Sequence, residues 1–519
     1  MKFEWQGSYF HYTCLPNGLA CAPRLFTKIL KPVHLRSLGN ICMGHIDDSF
    51  PLGYNYTACA TNIQDTVDTF LNLGFVVHTE KSVLIPTQEM EFLGFLLNSV
   101  NMTIRLPPVK AERVRLACQS LLDKSKMTIR EVAQVIGLIV SSFPAVQFGE
   151  LYYRALERNK ILALQESRSN CVAPIYFSNE SRSEIAWWVN NVDSSFKPIF
   201  QGDPDLTLTT DACTSGWGAV YGAHKTGGLW NVEEQAFHIN YLELKAVLLG
   251  LKSLLGHVHG KHIRIRSDNT TTVAYVNNMG SIKSAECDSL SKEIWLWCIE
   301  KDIWISACHI PSSTNVDADT ESRKINNSTE WSLNMDVFSD LDKLWGPFQI
   351  DLFASRLNFK VPSYVSWKPD PGAQYVNAFF MSWKEYYFYA FPPFSVIAAC
   401  LQKIEQDQAT GVLLVPVWQT QPWFTPLLHL LVDNPVLLPQ FTHLLTQPHN
   451  HALHPLRRQL RLMACMLSGK VSSREMFQAR LQQSSSSPGL TEHKNSTNHT
   501  SNSGWTFVVN GRLIPMIHL

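Results

Sequence analysis

Four acids between residues 205 and 323 could hold a metal ion together: Asp211, Glu243, Asp268 and Asp319. Asp211 follows the run LTLTT, Glu243 lies in NYLELKAVLLGLKSLLG, Asp268 follows HIRIRS, and Asp319 lies in NVDADTESR. Each falls at the end of a strand pattern or on the first turn of a helix pattern. Singly, each is an ordinary surface acid. Gathered and buried, they would be costly without a cation, so the set points to one divalent-metal site. A second pair, Asp47 and Asp48, sits side by side between short apolar flanks. Neighbours on a strand face opposite ways, so both carboxylates can serve one metal pair only from a tight strand–turn–strand. Outside such a context the pair reads as a solvated turn.

The elements that must position these acids are legible nearby. LTLTT alternates as a strand, and Ala212, Ser215, Gly216 and Gly218 let a second strand turn back closely. A short GGLWN strand follows. NYLELKAVLLGLKSLLG has the leucine spacing of an amphipathic helix, with Asn240 as its N-cap and Glu243 in its first turn. HIRIRS places Ile263 and Ile265 on one face of a strand. The helix pair TTTVAYVNN and CDSLSKEIWLWCIEKD, taken as one helical unit, a strand, IWISACHIP, and a last helix opened by NVDADTESR complete a βββαβαβα order.

A chain of 519 residues exceeds one hydrophobic core, so two to four domains are expected. Hydrophobic content of 45% and charged content of 17% describe a folded chain. A formal net charge of zero excludes an overall strongly basic nucleic-acid binder but not a local basic face. The 12 cysteines form no CxxC pair, which argues against a zinc ribbon or a disulfide framework and for reduced thiols. No apolar run reaches the ~18 residues of a membrane span, and the N-terminus lacks a signal peptide's apolar core.

Around Asp47 and Asp48, the segments LPNGLACAPRLF, HIDD and GFVVHTEKSVLIPTQEMEFLGFLLNS resemble the palm of a reverse transcriptase. The resemblance places Pro16 and Gly18 in a nucleotide-contacting turn, Asp47 and Asp48 in the metal-binding YxDD motif, and Lys81 in a later palm motif. His45 replaces the usual aromatic residue. The family's third aspartate lies on a strand before FEWQGSYF, so the chain is expected to start inside the domain and its polymerase to be incomplete. LPPVKAERVRLACQSLLDKSKMTIREVAQVIGLIVSSFPAV resembles the thumb and connection, with bases that include Lys110, Arg113 and Arg130. Trp187 and Trp188 are expected to pack between domains.

TDACTSGWGAV, LEL, SDN and HIPSSTNVDAD resemble the RNase H domain of retroelements over about 120 residues. The resemblance implies that Asp211, Glu243, Asp268 and Asp319 hold two Mg²⁺ (or Mn²⁺) ions, and that His309 assists proton transfer or product release. The implied reaction is hydrolysis of the RNA strand of an RNA–DNA hybrid.

Further on, DLFASRLN, SWKPDP and AFPPF join the first two blocks in resembling DIRS-type retrotransposon polyproteins. Their third domain is likened to adenine-N6 DNA methyltransferases. By that likeness Asp351 lies near an S-adenosylmethionine site, and Pro392 and Pro393 stand in the NPPY-like turn. Phe391 departs from it, since it offers no acceptor to the target amine. A degenerate scaffold is the reading preferred to an active methylase.

The fold class expected is thus multidomain α/β and α+β: palm over 1–105, thumb and connection over 106–202, an RNase H-like fold over 203–325, and a small α/β methyltransferase-like domain over 346–440. A helical segment over 441–482 bearing Arg457, Arg458, Arg461, Lys470, Arg474 and Arg480, and a low-complexity tail over 483–519, complete it. Partners implied are RNA–DNA hybrid, RNA template, DNA, dNTPs, and an element-encoded recombinase and capsid-like protein, with no membrane. The compartment implied is intracellular, cytoplasm or nucleus. The rival reading is a catalytically inactive remnant or a co-opted nucleic-acid-binding protein.

Overall fold

The computed structural model describes residues 2–13, 18–36, 42–124, 126–324, 331–483, 497–500 and 504–519. The chain is mixed α/β and divides into two units, Met1–Phe200 and Gln201–Leu519.

The first unit opens with a hairpin, β1 (Lys2–Trp5) and β2 (Ser8–His11), turned at Gly7 with φ 73°. Helix α1 (Ala22–Arg36) leads to a second hairpin, β3 (Cys42–His45) and β4 (Asp48–Pro51). Helix α2 (Tyr56–Asn72) is capped by Asn55, whose side chain accepts from the Ala58 amide. Strands β5 (Glu89–Phe92), β6 (Phe95–Asn98) and β7 (Thr103–Arg105) form a meander. The rest of the unit is helix α3 (Pro108–Asp123), strand β8 (Met127–Thr128), helices α4 (Ile129–Val140) and α5 (Arg154–Glu166), strand β9 (Pro174–Ile175), helix α6 (Asn179–Asn191) and strand β10 (Phe196–Pro198). Strand β10 pairs with β7, so the boundary expected at 105/106 does not separate two sheets.

Val114, Cys118, Ile129, Val132, Ile139, Leu156, Ile185 and Trp188 form the helical core of this unit. Trp188 is fully buried and donates to the Tyr152 carbonyl, while Trp187 stacks on the Tyr152 ring at 4.2 Å. The tryptophan pair therefore packs inside one unit rather than between domains. Its spacing on one amphipathic helix brings both rings to the same core.

The second unit begins with strands β11 (Leu206–Ala212), β12 (Gly216–Tyr221) and β13 (His224–Leu229), then helices α7 (Val232–Gln235) and α8 (Ile239–Leu254). Strand β14 (His262–Ser267), helices α9 (Thr270–Asn277) and α10 (Ala285–Glu300), strand β15 (Trp304–His309) and helix α11 (Val316–Arg323) follow. The sheet order is β13-β12-β11-β14-β15, with β11, β14 and β15 parallel. Helix α8 is capped by His238, two residues before Asn240. Asn240 instead accepts from the side chain of Asn269 and ties α8 to the start of α9.

Beyond residue 331 come β16 (Ser332–Leu333), α12 (Met335–Trp345), β17 (Ile350–Asp351), β18 (Val365–Ser366), β19 (Tyr375–Val376), β20 (Tyr387–Ala390), α13 (Ile397–Asp407), β21 (Thr410–Pro416), α14 (Phe424–His429) and β22 (Val436–Leu437). They are followed by β23 (Leu445–Thr446), β24 (Leu462–Ser468), α15 (Val471–Arg480), β25 (Thr497–Thr500), β26 (Gly504–Val509), β27 (Arg512–Pro515) and β28 (Ile517–His518). Six of these strands form one sheet in the order β17-β20-β21-β24-β22-β28, parallel from β17 to β21 and antiparallel on both sides of β24.

Two expectations are corrected here. Residues 441–482 are not a helical segment: LMACMLS is the inner strand β24, and helix is confined there to 471–480. Met463, Cys465 and Leu467 face one core while Leu462 and Ala464 face the other, so the run is apolar throughout and carries no strand alternation. Nor is all of 483–519 tail. Strands β26 and β27 turn at Asn510–Gly511 and bury Phe507, Val509, Ile514 and Met516 in the main core. An Asn-Gly pair between apolar runs is a strong hairpin signal. Residues 484–496 and 501–503 of the expected tail lie outside the described residues. The sheet that opens with β17 therefore continues past residue 440, through β24 to β28. Among the described residues no helix is long and apolar enough to cross a membrane.

Candidate metal centre

Asp211 stands next to last in β11, and Asp268 follows the last residue of β14. The two strands are parallel with Thr209 opposite Arg266. Extending that register brings the two aspartates level at one end of the sheet. Helix α8 lies across β11, with Gly250 fitted over Leu208, Thr210 and Ala219. This fixes the helix that carries Glu243. One carboxylate oxygen from each of Asp211, Glu243 and Asp268 lies within 4.8 Å of the other two.

Helix α11 closes the site. Asn315 donates 3.1 Å to one Asp211 oxygen and Ser322 donates 2.7 Å to the other. Ser312 donates 2.6 Å to Asp268. The helix can lie so close because Gly218 faces it: a Cβ there would collide with the Ala318 carbonyl and lie 2.6 Å from the Ser322 nitrogen. Asp319 is on the same helix but outside the tight cluster, paired at 2.7 Å with Arg323. Its charge still reaches Asp211. Asn315, Ser322 and Ser312 are functional neighbours that the spacing of the acids does not announce. The Asn at the start of the NVDADTESR helix is their one sequence signal.

The electrostatics are those of a cation site. Burial, reinforced by the charges of Asp211 and Asp268, pushes Glu243 up to about 9. Burial also pushes Asp211 up to about 6, opposed by the Ser322 hydrogen bond and reinforced by Asp268 and Asp319. Glu243 Oε2 and Asn315 Oδ1 are buried without a hydrogen-bond partner. An all-oxygen donor set with unspent acceptors fits a hard cation such as Mg²⁺ or Mn²⁺.

His309 ends β15 opposite Ser267 and is exposed. Asp47 and Asp48 are exposed at the tip of the β3–β4 hairpin, the strand–turn–strand that their adjacency requires. Ile46 in that turn has φ 55°, an uncommon backbone for a β-branched residue. Gly18 lies in a turn with φ 88°, Lys81 is exposed in another turn, and Pro16 lies outside the described residues.

In the C-terminal domain, Asp351 ends β17 and is only 2% exposed. Its two oxygens accept from the amides of Phe353 and Lys360, and burial pushes it up to about 7. Pro392 is buried and Pro393 exposed just after β20, and Phe391 packs toward Phe394. Asp351 is buried with both oxygens engaged by amides of its own loop, so it is not presented to S-adenosylmethionine, and Phe391 supplies no acceptor for a target amine. These residues do not fit a methyl transfer, and no such step is derived.

Residues 320–432 match the family model described as DNA N-6-adenine-methyltransferase (Dam). The Pro-Pol polyprotein of simian foamy virus type 1 is 32% identical over 93 residues, 18% of this chain and 8% of that one. The retrovirus-related Pol polyprotein from transposon opus of Drosophila melanogaster is 26% identical over 97 residues, 19% of this chain and 10% of that one. The chain thus matches only a tenth or less of the length of these two relatives. Among solved structures, a foamy viral protease–reverse transcriptase in complex with double-stranded DNA aligns with 60% of this chain and 53% of its own, at 17% identity and TM-score 0.34. RNase H1 from Halobacterium salinarum NRC-1 aligns with 22% of this chain and 92% of its own, at 16% identity and TM-score 0.19. Parts of the chain are therefore similar to retroviral and retrotransposon Pol polyproteins, and another part to adenine methyltransferases.

Proposed function

We propose that the chain is part of a DIRS-like retroelement polyprotein, and that its domain over residues 203–325 hydrolyses the RNA strand of RNA–DNA hybrids. The observation that carries this reading is the convergence of Asp211, Glu243 and Asp268 within 4.8 Å, with one Glu243 oxygen buried and unpartnered. Asp211, Glu243 and Asp268 would hold the cations, and Asp319 would join them by exchanging Arg323 for metal. Bound divalent ions supply an activated water and stabilise the leaving 3′ oxygen. Asn315 and Ser322 fix the rotamer of Asp211, and Ser312 fixes that of Asp268, so the acids are aimed before substrate arrives. His309, exposed at the same end of the sheet, would move a proton or assist product release.

The polymerase reading rests on the β3–β4 hairpin and its two aspartates. Template, dNTPs and an intracellular site of action, in cytoplasm or nucleus, belong to that reading. Incubation of the purified chain with a labelled RNA–DNA hybrid and Mg²⁺ tests the nuclease. The parent should cleave the RNA strand. Asp268→Asn should lose more than the ~10–100-fold that removal of an outer ligand contact costs. No cleavage by the parent, or equal cleavage by the variant, overturns the reading in favour of an inactive remnant or a co-opted binder.

A further inference from the structure

Glu234 is a buried acid that the nuclease chemistry does not use. It completes the capping box with Asn231 at the start of the one-turn helix α7 and is 6% exposed. Its carboxylate takes both arms of Arg356, at 3.0 and 2.9 Å. Arg356 belongs to the loop after β17, in the DLFASR motif, 122 residues further along the chain. The same guanidinium donates 2.7 Å to the carbonyl of Leu229 at the end of β13. The loop is braced from behind: Asp370 accepts from the Arg356 amide and from the Tyr364 hydroxyl. Two further ties join the same surfaces, Thr226 to the Pro369 carbonyl and Gln235 to the His449 carbonyl.

The third partner of Glu234 is Lys245, at 2.8 Å. Lys245 lies on α8 two residues after Glu243, within the same turn. A buried acid needs its cations, and breaking such a pair from one side leaves an uncompensated charge. Burial alone would raise Glu234, but the hydrogen bonds and charge of Arg356, joined by the hydrogen bonds from Lys245 and the Asn231 amide, hold the carboxyl below its ordinary value. The loop after β17 is thus committed, through Arg356, to gripping the end of β13 and helix α7.

We propose that Arg356 is a positioning residue: it clamps Glu234 and, through Lys245, sets the seat of the helix that presents Glu243 to the metal. The C-terminal domain is then an integral part of the scaffold of the metal centre. The link to the metal rests on the function proposed above; the clamp itself does not.

The test uses the full chain and four variants: Arg356→Ala, Arg356→Lys, Glu234→Gln and the Ala/Gln double variant. Amide hydrogen exchange is followed over residues 232–247 without metal, and Mn²⁺ binding is measured by calorimetry. Arg356→Ala should speed exchange there roughly 10- to 100-fold, leave β24 unchanged, and weaken Mn²⁺ binding. Arg356→Lys, which keeps the charge but not the fork, should lie between parent and Ala, and it carries the test if the Ala variant does not fold. Non-additivity in the double variant supports action through Glu234. Additive effects, or unaltered exchange in 232–247, overturn the proposal. Neither readout requires hybrid cleavage, so failure of the nuclease reading would be seen separately.

Discussion

At the scale of single residues, the site is a set of acids kept in a state they would not choose alone. Glu243 is pushed up to about 9 and Asp211 to about 6, while in the unfolded chain both ionise near pH 4. Between about pH 4 and 9 the folded chain therefore binds more protons than the unfolded one, and stability falls as pH rises through that window. Glu243→Gln should raise the melting temperature of the metal-free chain at pH 8, at about 2–4 °C per kcal/mol recovered, and change it little at pH 5. Mg²⁺ should stabilise the parent more at pH 8 than at pH 5 and the variant weakly at both. Scanning calorimetry at the two pH values checks all four outcomes. The acids themselves were readable from their places in strand and helix patterns. Their hydrogen-bond partners were not, because Asn315 and Ser322 reach Asp211 across 104 and 111 residues and only the folded α11 brings them there.

At the scale of elements, the position of α11 depends on missing side chains. Gly216, Gly218 and Gly227 face its backbone, and a Cβ at Gly218 meets main chain, which cannot swing aside. Gly218→Ala should therefore displace α11 and carry Ser322 away from Asp211. A loss of roughly 1–3 kcal/mol, as for overpacked cores, is expected, together with weakened cation binding. Urea unfolding with and without Mn²⁺ measures both; a variant as stable as the parent would refute the close approach. In sequence, Gly216 and Gly218 announce the close approach of a second strand but not of α11, and the alternation of β11 and β14 announces those strands. Strand β24 was hidden for the opposite reason. Its two faces are both buried, so LMACMLS shows no period that separates strand from helix, and the nearby arginines suggested a charged helix face. Hairpin β26–β27 was overlooked because it follows a long polar stretch, although Asn510–Gly511 marked its turn.

At the scale of the whole molecule, the division at residue 200 leaves the candidate metal centre of Asp211, Glu243 and Asp268 in the second unit. A ligand stabilises only the cooperative unit that binds it, by RT ln(1 + [L]/Kd). Calorimetry of the full chain should resolve two transitions, and Mn²⁺ should move one of them. At a hundredfold excess over Kd the stabilisation is about 2.7 kcal/mol. Proteolysis at rising temperature identifies the shifted unit by its fragments; a shift in fragments from residues 1–200 would contradict the assignment. Local motifs suggest an order of domains. The bond between Glu234 and Arg356 has no such local signal, since 122 residues separate the two charges.

That pair also bears on inheritance. Two folds joined by a fork-shaped ion pair cannot drift independently, because loss of either partner leaves the other charge buried. Positions 234 and 356 should covary among related chains, exchanging together or not at all. Recombinants that cross over between residues 323 and 332 should be viable when both parents share the pair and fail when one parent lacks it. Such crossovers divide the sequence where its motifs suggest a boundary, but they separate two halves of one structural unit.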